Sequence, residues 1–342
     1  MEVEKARVLI VGAGGVGIMA AYALEVGGKA AVTLVMRSNY RRAQDAGISI
    51  DSVDHGKGIR EWRPTEIRNT IPDVSQEGIP PFDFILVTTK NIPDVPPTVA
   101  DLVAPAVSPG HTAIVLSQNG LNIERPLLAR FPQNPILSSV SMISTTETSP
   151  AVVVHDFADT QKIGPFVPQP AAEAAARRYV AVYNGSGRLA DVVYDADVPR
   201  ARWHKLVYNA SFNPVAAALR MDTTRMRMSR HVIDDLVRPI MLEVVAAARA
   251  AGHVLPPDLP DALIRVDPVE AAFRPSMCQD ADKGNLMEVE TIVGEPLREG
   301  EARGVPMPTL RTVYGILKGL QLQTKVAKGL WEPAFDDDNP YR

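Results

Sequence analysis

Cysteine is almost absent from this chain: Cys278 stands alone among 342 residues. That excludes an internal disulfide framework and makes a thiolate metal site implausible. Long apolar runs are missing too, since none approaches the roughly 20 residues that a membrane helix needs. Positive charge is not in excess, with 36 Lys and Arg against 40 Asp and Glu, a formal net charge of -4. The charges are dispersed, so neither a nucleic acid nor a membrane surface is expected as a partner. No His, Asp and Glu cluster has metal-ligand spacing, and there is no internal repeat or low-complexity stretch. The opening Met1-Glu2-Val3-Glu4-Lys5 is charged and lacks an apolar h-region. A secretory signal is therefore not expected, and the cytosol is the expected compartment.

A chain of this length, 46% hydrophobic, ordinarily divides into about two domains, each with its own core. Arg7 to Val11 is a short β-branched run that stops at glycine and reads as a buried parallel strand. Val16 to Val26 reads as a helix ended by Gly27-Gly28, and Ala31 to Met36 as a second strand. Together they make a βαβ unit of about thirty residues. Phe82 to Thr88 and Thr112 to Leu116 are further buried strands, followed by the polar residues Thr89-Lys90 and Ser117-Gln118-Asn119-Gly120. In a doubly wound sheet ligands bind beyond such carboxyl ends. Thr98 to Val103 suits a short helix, Ile136 to Phe166 is strand-like, Ala171 to Ser186 is helical, and Ala190 to Asp195 is a last strand. Beyond it Arg200 to Leu219, His231 to Ala251, Pro260 to Ile264, Met277 to Arg303 and Pro308 to Gln323 all read as helices.

Gly12-Ala13-Gly14-Gly15-Val16-Gly17 is a G-x-G-x-x-G sequence between the first strand and its helix. The first glycine permits the turn, the second lets backbone approach a pyrophosphate, and the third lets the helix pack on the strand. The helix start then directs N–H groups and its positive dipole end at the phosphates. The residue after the second strand selects the nicotinamide cofactor. An Asp or Glu there would bind a ribose 2′-hydroxyl. This chain has Met36-Arg37-Ser38, with Arg41 and Arg42 beyond. A guanidinium and a hydroxyl suit a 2′-phosphate, so NADP(H) is favoured over NAD(H). The expected fold is α/β: an N-terminal Rossmann-type dinucleotide-binding domain over 1–197, an all-α C-terminal domain over 198–330, and a loose tail over 331–342 that carries Asp336-Asp337-Asp338.

Lys205, Asn209 and Asn213 recur every four residues, which places them on one helix face, with Pro214 kinking the helix at that point. Such a polar row faces either solvent or a site. Lys205 has a chemical use: as hydride reaches a carbonyl carbon, an ammonium stabilises the growing oxyanion and donates its proton. Desolvation would lower its pKa and improve it as an acid. Ser276 is in position for an N-cap. Glu288 and Glu290 flank Val289, so they cannot both face one site, and one of them is expected in solvent. Cys278 reads as a small core residue, and His204 as structural.

This set resembles the ketopantoate reductase family over nearly the whole chain. The resemblance is carried by Gly12 to Gly17, Thr88-Thr89-Lys90, Gln118-Asn119-Gly120, the Lys205, Asn209 and Asn213 row with Pro214, and Ser276-Met277-Cys278-Gln279-Asp280 leading to Glu288. It implies NADPH-dependent reduction of a 2-oxo acid or related ketone, as 2-dehydropantoate is reduced to pantoate. It implies Lys205 as general acid assisted by Glu288, Lys90 and Asn119 lining the cofactor and substrate cleft, and Ser276 touching the substrate carboxylate. It further implies that Asn209 and Asn213 lie beside the substrate. An ammonium from the later half would then approach a dinucleotide held by the earlier half.

Two positions depart from the family pattern. Members often have an asparagine ten positions after the one matching Asn213 and another three before the serine; here these are Thr223 and Phe273. A phenyl ring cannot pair with a buried hydroxyl, so a substrate less polar than ketopantoate at that end is expected, since an unpaired hydroxyl costs about 1–3 kcal/mol. The alternatives are a β-hydroxyacid or opine-type dehydrogenase and a catalytically silent NADP(H)-binding sensor. The long apolar helices at the C-terminus permit a homodimer.

Overall fold

The computed structural model describes residues 5–332, 334–335, 337 and 339–342. Met1 to Glu4 and, in the expected acidic tail, Asp336 and Asp338 lie outside the described residues. The chain divides into two compact units, Met1–Ala201 and Arg202–Arg342. The division falls inside a helix, just past the expected boundary at 197.

Unit 1 is built on ten strands: β1 (Ala6–Val11), β2 (Ala30–Val35), β3 (Ile48–Ser52), β4 (Gly56–Trp62), β5 (Glu66–Arg68), β6 (Phe84–Val87), β7 (Ala113–Leu116), β8 (Ile136–Ser149), β9 (Val152–Pro165) and β10 (Val192–Tyr194). Its helices are α1 (Gly15–Val26), α2 (Tyr40–Ala46), α3 (Val74–Glu77), α4 (Val99–Val103), α5 (Arg125–Arg130) and α6 (Pro170–Tyr183). The sheet runs β4-β3-β9-β8-β7-β6-β1-β2-β5, with β10 beside β9. From β5 to β8 every pairing is parallel. In chain order those six strands lie 3-2-1-4-5-6, the doubly wound order of a Rossmann-type sheet, which reverses direction between β1 and β6. The central strands are apolar on both faces because both are covered. Val8, Ile10, Leu34 and Leu86 pack with Ile18, Leu24, Tyr179 and Tyr183. Leu9, Val11, Ile85, Val87, Ile114 and Leu116 pack with Val99, Val103 and Leu127 on the other side.

The second edge of the sheet departs from the parallel rule. Strand β9 runs antiparallel to β8, and β3 joins β9 in parallel from Ser49↔Val152 to Ser52↔His155. A buried polar network sits there. Asp159 accepts from the Tyr183 hydroxyl at 2.7 Å and from Gln161 Nε2 at 2.9 Å, while Gln161 Oε1 accepts from Ser139 at 2.6 Å. Nearby, Ser52 Oγ lies 2.8 Å from His155 Nδ1 and accepts from the N–H groups of Asp54 and His55. Burial pushes the Asp159 carboxyl up from its usual range, although Tyr183 and Gln161 pull it back. Burial also holds His55 down to about 4, so it stays neutral.

Unit 2 is helical: the rest of α7 (Val198–Asn209), then α8 (Phe212–Leu219), α9 (Thr223–Met228), α10 (Arg238–Ala250), α11 (Leu259–Ile264), α12 (Ser276–Asp282), α13 (Glu295–Ala302) and α14 (Pro308–Ala327). Wide i→i+5 turns at Val232–Val237 and Glu290–Gly294 lead into α10 and α13. Two expected helices are broken. The first stops after Asn209 and restarts at Phe212, so Pro214 opens a helix instead of kinking one. Proline has no N–H to offer the Ala210 carbonyl, and Ser211 Oγ donates to the Val207 carbonyl at 2.6 Å, which competes with the helical ladder. The second, Met277 to Arg303, is interrupted after α12 by Gly284 at φ 64. Tyr183→Phe removes one partner of a buried carboxylate, so unit 1 should lose about 1–3 kcal/mol; an unchanged urea midpoint would refute this.

Candidate functional site

In unit 1 the polar loops gather at the carboxyl ends of β1, β6 and β7. Gly12 has φ 113, and a Cβ on it would lie 2.7 Å from the Thr89 nitrogen. The Thr88 hydroxyl donates to the Gly12 carbonyl at 2.6 Å, which ties the β1 loop to the β6 loop across the reversal point. At Gly17 a Cβ would stand 1.8 Å from the Gly12 carbonyl oxygen. Only glycine lets α1 start this close to the strand. Helix α1 has Gly14 as N-cap, no side-chain cap and no acidic residue in its first turn. A Cβ at Gly14 would meet nothing within 4 Å. Ala13 and Val16 complete this loop, whose positive end is uncompensated by its own side chains. It is a cradle fit for an anionic phosphate.

The flanking loops hold polar groups around that cradle. Gln118 Nε2 donates to the Thr89 carbonyl at 2.7 Å, and Asn91 Nδ2 lies 3.4 Å from Gln118 Oε1. Asn119 is half-buried and Lys90 is exposed. After β2, Arg37, Ser38, Arg41 and Arg42 are all exposed. Sequence reasoning missed Asn39 and Glu147. Asn39 Nδ2 donates to Glu147 Oε1, which also accepts from the Ala151 N–H at 3.0 Å. The carboxylate thereby anchors the arginine-bearing turn to β8. The signal was faint, because these residues stand 108 positions apart.

In unit 2, Lys205 and Asn209 lie on α7, half-buried, while Asn213 lies on α8 and is 4% exposed. The three do not share one continuous helix face, because the chain breaks between the asparagines. Helix α12, which begins at the half-buried Ser276, packs against α8 and so approaches the element carrying Asn213. Ser276 is not an N-cap. It occupies the first helical position after Pro275, and no side chain caps that helix. Cys278 is buried, as a small core residue should be, and His204 is exposed.

The Lys205 ammonium is held down to about 8 from an ordinary 10.5. Desolvation is the largest cause, the Arg202 charge one turn earlier adds to it, and the Glu288 carboxylate opposes both. Glu288 is 4% exposed. Glu290 turns elsewhere, and the expectation that one of the two glutamates faces solvent does not hold. Glu290 takes Lys318 at 2.7 Å, Arg298 at 3.0 Å and the Tyr314 hydroxyl at 2.9 Å. Burial would push its carboxyl up, but these donors together outweigh it and hold the carboxyl below the usual range. The two departing positions also meet: the Thr223 N–H donates to the Phe273 carbonyl at 2.9 Å. Thr223 is fully buried, its hydroxyl has no partner among the described residues, and Phe273 is partly exposed. Among the described residues, no group of three or more His, Cys, Asp or Glu could hold a metal ion. No helix of the described residues is long and apolar enough to cross a membrane.

The family described as "Ketopantoate reductase PanE/ApbA" matches residues 8–168, and its C-terminal counterpart matches 197–321. The chain belongs to the ketopantoate reductase family. It is 33% identical to an uncharacterised protein of Saccharomyces cerevisiae, over 97% of each chain. The 2-dehydropantoate 2-reductase structure from Geobacter metallireducens superposes with a TM-score of 0.80 at 27% identity, covering 92% of this chain and 99% of that one. The counterpart from Methylococcus capsulatus gives 0.77 at 28% identity, over 93% and 97%. Helical unit 2 is thus the ketopantoate reductase C-terminal region, and the doubly wound sheet is its N-terminal partner.

If Lys205 is held as described, carbon-13 dimethylation of the lysines should reveal one resonance titrating near 8 while solvated lysines titrate near 10.5. Lys205→Arg should delete that resonance. A single titration near 10.5 for every lysine would count against it.

Proposed function

We propose that this family member is an NADPH-dependent reductase of a 2-oxo acid whose far substituent is apolar, with Lys205 as general acid. The observation that carries the reading is Lys205 itself: a half-buried amine held at about 8 beside a buried carboxylate. An ordinary surface lysine at 10.5 is a poor proton donor at neutral pH, whereas a pKa near the working pH suits an acid.

Bound NADPH would supply hydride to the carbonyl carbon. The loop Gly12–Gly17 fits its pyrophosphate, because the glycines leave backbone exposed and α1 begins without a cap of its own. Arg37 and Ser38 would take the 2′-phosphate, a bidentate match for a guanidinium. Lys90 and Asn119, at the ends of β6 and β7, would line the same crevice. Ser276 would contact the substrate carboxylate, with Asn209 and Asn213 orienting the keto acid. The Lys205 Nζ gives its proton to the carbonyl oxygen as that oxygen gains negative charge, and the neutral amine is reprotonated from solvent. Glu288 keeps the ammonium charged by offsetting part of the effect of burial and Arg202. Phe273 brings a ring where a hydroxyl-bearing substrate would need a polar partner. That favours bulkier alkyl or aryl 2-oxo acids over ketopantoate.

Turnover is followed by loss of the reduced-nicotinamide absorbance with NADPH and a panel of 2-oxo acids that includes ketopantoate. Lys205→Ala should lower kcat by about 10²–10⁴-fold while NADPH still binds. Because the acid must be protonated, reduction should be flat below the lysine pKa and fall as pH rises through about 8. Arg37→Ala should weaken NADPH binding and leave NADH nearly unchanged. Undiminished turnover by Lys205→Ala removes the lysine from the chemistry, and no turnover of any acid with tight NADPH binding would leave a sensor. Phe273→Asn should move kcat/KM toward ketopantoate by roughly tenfold, the equivalent of one recovered hydrogen bond of about 1–3 kcal/mol. A wild-type preference for ketopantoate would sink the apolar-substrate assignment.

A further inference from the structure

Gln321 occupies a position that the pattern of α14 reserves for an apolar residue. The buried residues of that helix are Leu310, Val313, Leu317 and Gln321, spaced at three and four. A leucine would suit the last position, and a buried amide there is unfavourable unless both its ends are bonded. Both are, and to the same residue. Gln321 Oε1 accepts from the Met287 N–H at 3.0 Å, and Nε2 donates to the Met287 carbonyl at 2.9 Å.

Met287 directly precedes Glu288. The stretch 285–288 lies between the end of α12 and the wide turn at Glu290–Gly294, outside any strand or regular helix. No sheet ladder fixes it. The amide of Gln321 does what a neighbouring strand would do, pairing with both backbone groups of one residue. On the other side of Glu288, its carbonyl accepts from the Ile292 N–H at 3.1 Å, so the glutamate is held between a glutamine clamp and a helix start.

We propose that Gln321 is a positioning residue that fixes the Glu288 carboxylate in its place beside Lys205. It touches neither substrate nor cofactor, and it acts through the Met287 backbone. This inference rests on the proposed roles of Lys205 and Glu288.

The test is a cycle of Gln321→Met, Glu288→Gln and the double variant, with circular dichroism and melting recorded for each. Gln321→Met matches the original in size and removes both hydrogen bonds. Its kcat should fall by roughly 10- to 100-fold, the usual effect of a small misplacement near the reacting groups, with KM for NADPH unchanged. Arg202, from the same helix, and Glu288 both act on the Lys205 charge, the first against it and the second in its favour. A displaced Glu288 should therefore move the alkaline limb of the pH profile below about 8, as Glu288→Gln should. The double variant should be no slower than Glu288→Gln alone. Gln321→Glu, which as a carboxylate keeps the acceptor but loses the donor, enters the same cycle if Gln321→Met does not fold. Losses that multiply in the double variant, or an unmoved alkaline limb, overturn the positioning role. Turnover that survives Lys205→Ala overturns the parent reading and this inference with it, so the two failures are distinguishable.

Discussion

An ammonium group partly withdrawn from water near a buried carboxylate is the constraint around which this part of unit 2 is arranged. Lys205 loses hydration, feels the Arg202 charge from its own helix, and recovers part of the loss from Glu288. Desolvating an ion is costly, and one displaced partner leaves the other exposed to the full penalty. The geometry is therefore held from several directions. Ser211 and Pro214 end α7 soon after Asn209 and start α8 with Asn213 in its first turn. Gln321 sets the residue before Glu288 at the expense of an apolar core position. Glu290, two residues on, is engaged by Lys318, Arg298 and Tyr314.

Unit 1 solves a different problem with almost no side chains. The Gly12 carbonyl and the start of α1 approach so closely that any Cβ at Gly17 would overlap the oxygen. Because Thr88 bonds that same carbonyl, the loops after β1 and β6 form one surface. What this surface presents is peptide N–H and helix dipole, with the exposed arginines of the turn after β2 as the side-chain charges that follow it in the chain. The Asn39–Glu147 contact shows how such an exposed turn is kept in register with the sheet.

The parallel core and the glycine loop were legible because continuous β-branched runs and G-x-G-x-x-G each encode a local geometry. So was the helical texture of the second half. Residues 39 to 80 gave no expectation of strand or helix, although Ile48-Ser49-Ile50 alternates and Gly56 adopts φ 94. These strands are short, and β3 is defined by a partner a hundred residues away in β9. The i, i+4 spacing of Lys205, Asn209 and Asn213 was real but misleading. Periodicity assumes an unbroken helix, and the break depends on a serine hydroxyl choosing its own backbone. Lys205 was singled out by chemistry and Glu288 by resemblance, whereas Gln321 was hidden by its apolar periodicity: nothing in α14 says that its amide meets Met287.

The pairing of β3 with β9 also sets an order of events as the polypeptide is made. Residues Ser49 to Ser52 obtain their parallel neighbour only from Val152 to His155. Until that later segment has left the ribosome, one side of the β3–β4 hairpin presents unpaired peptide groups to whatever is nearby. The strands β5, β2, β1, β6 and β7 find their parallel neighbours among themselves by Leu116, although β7 still waits for β8 and one face waits for Tyr179 and Tyr183 of α6. Nascent chains shorter than about half the protein therefore carry an open hydrogen-bonding edge, the kind of surface on which misassembly begins.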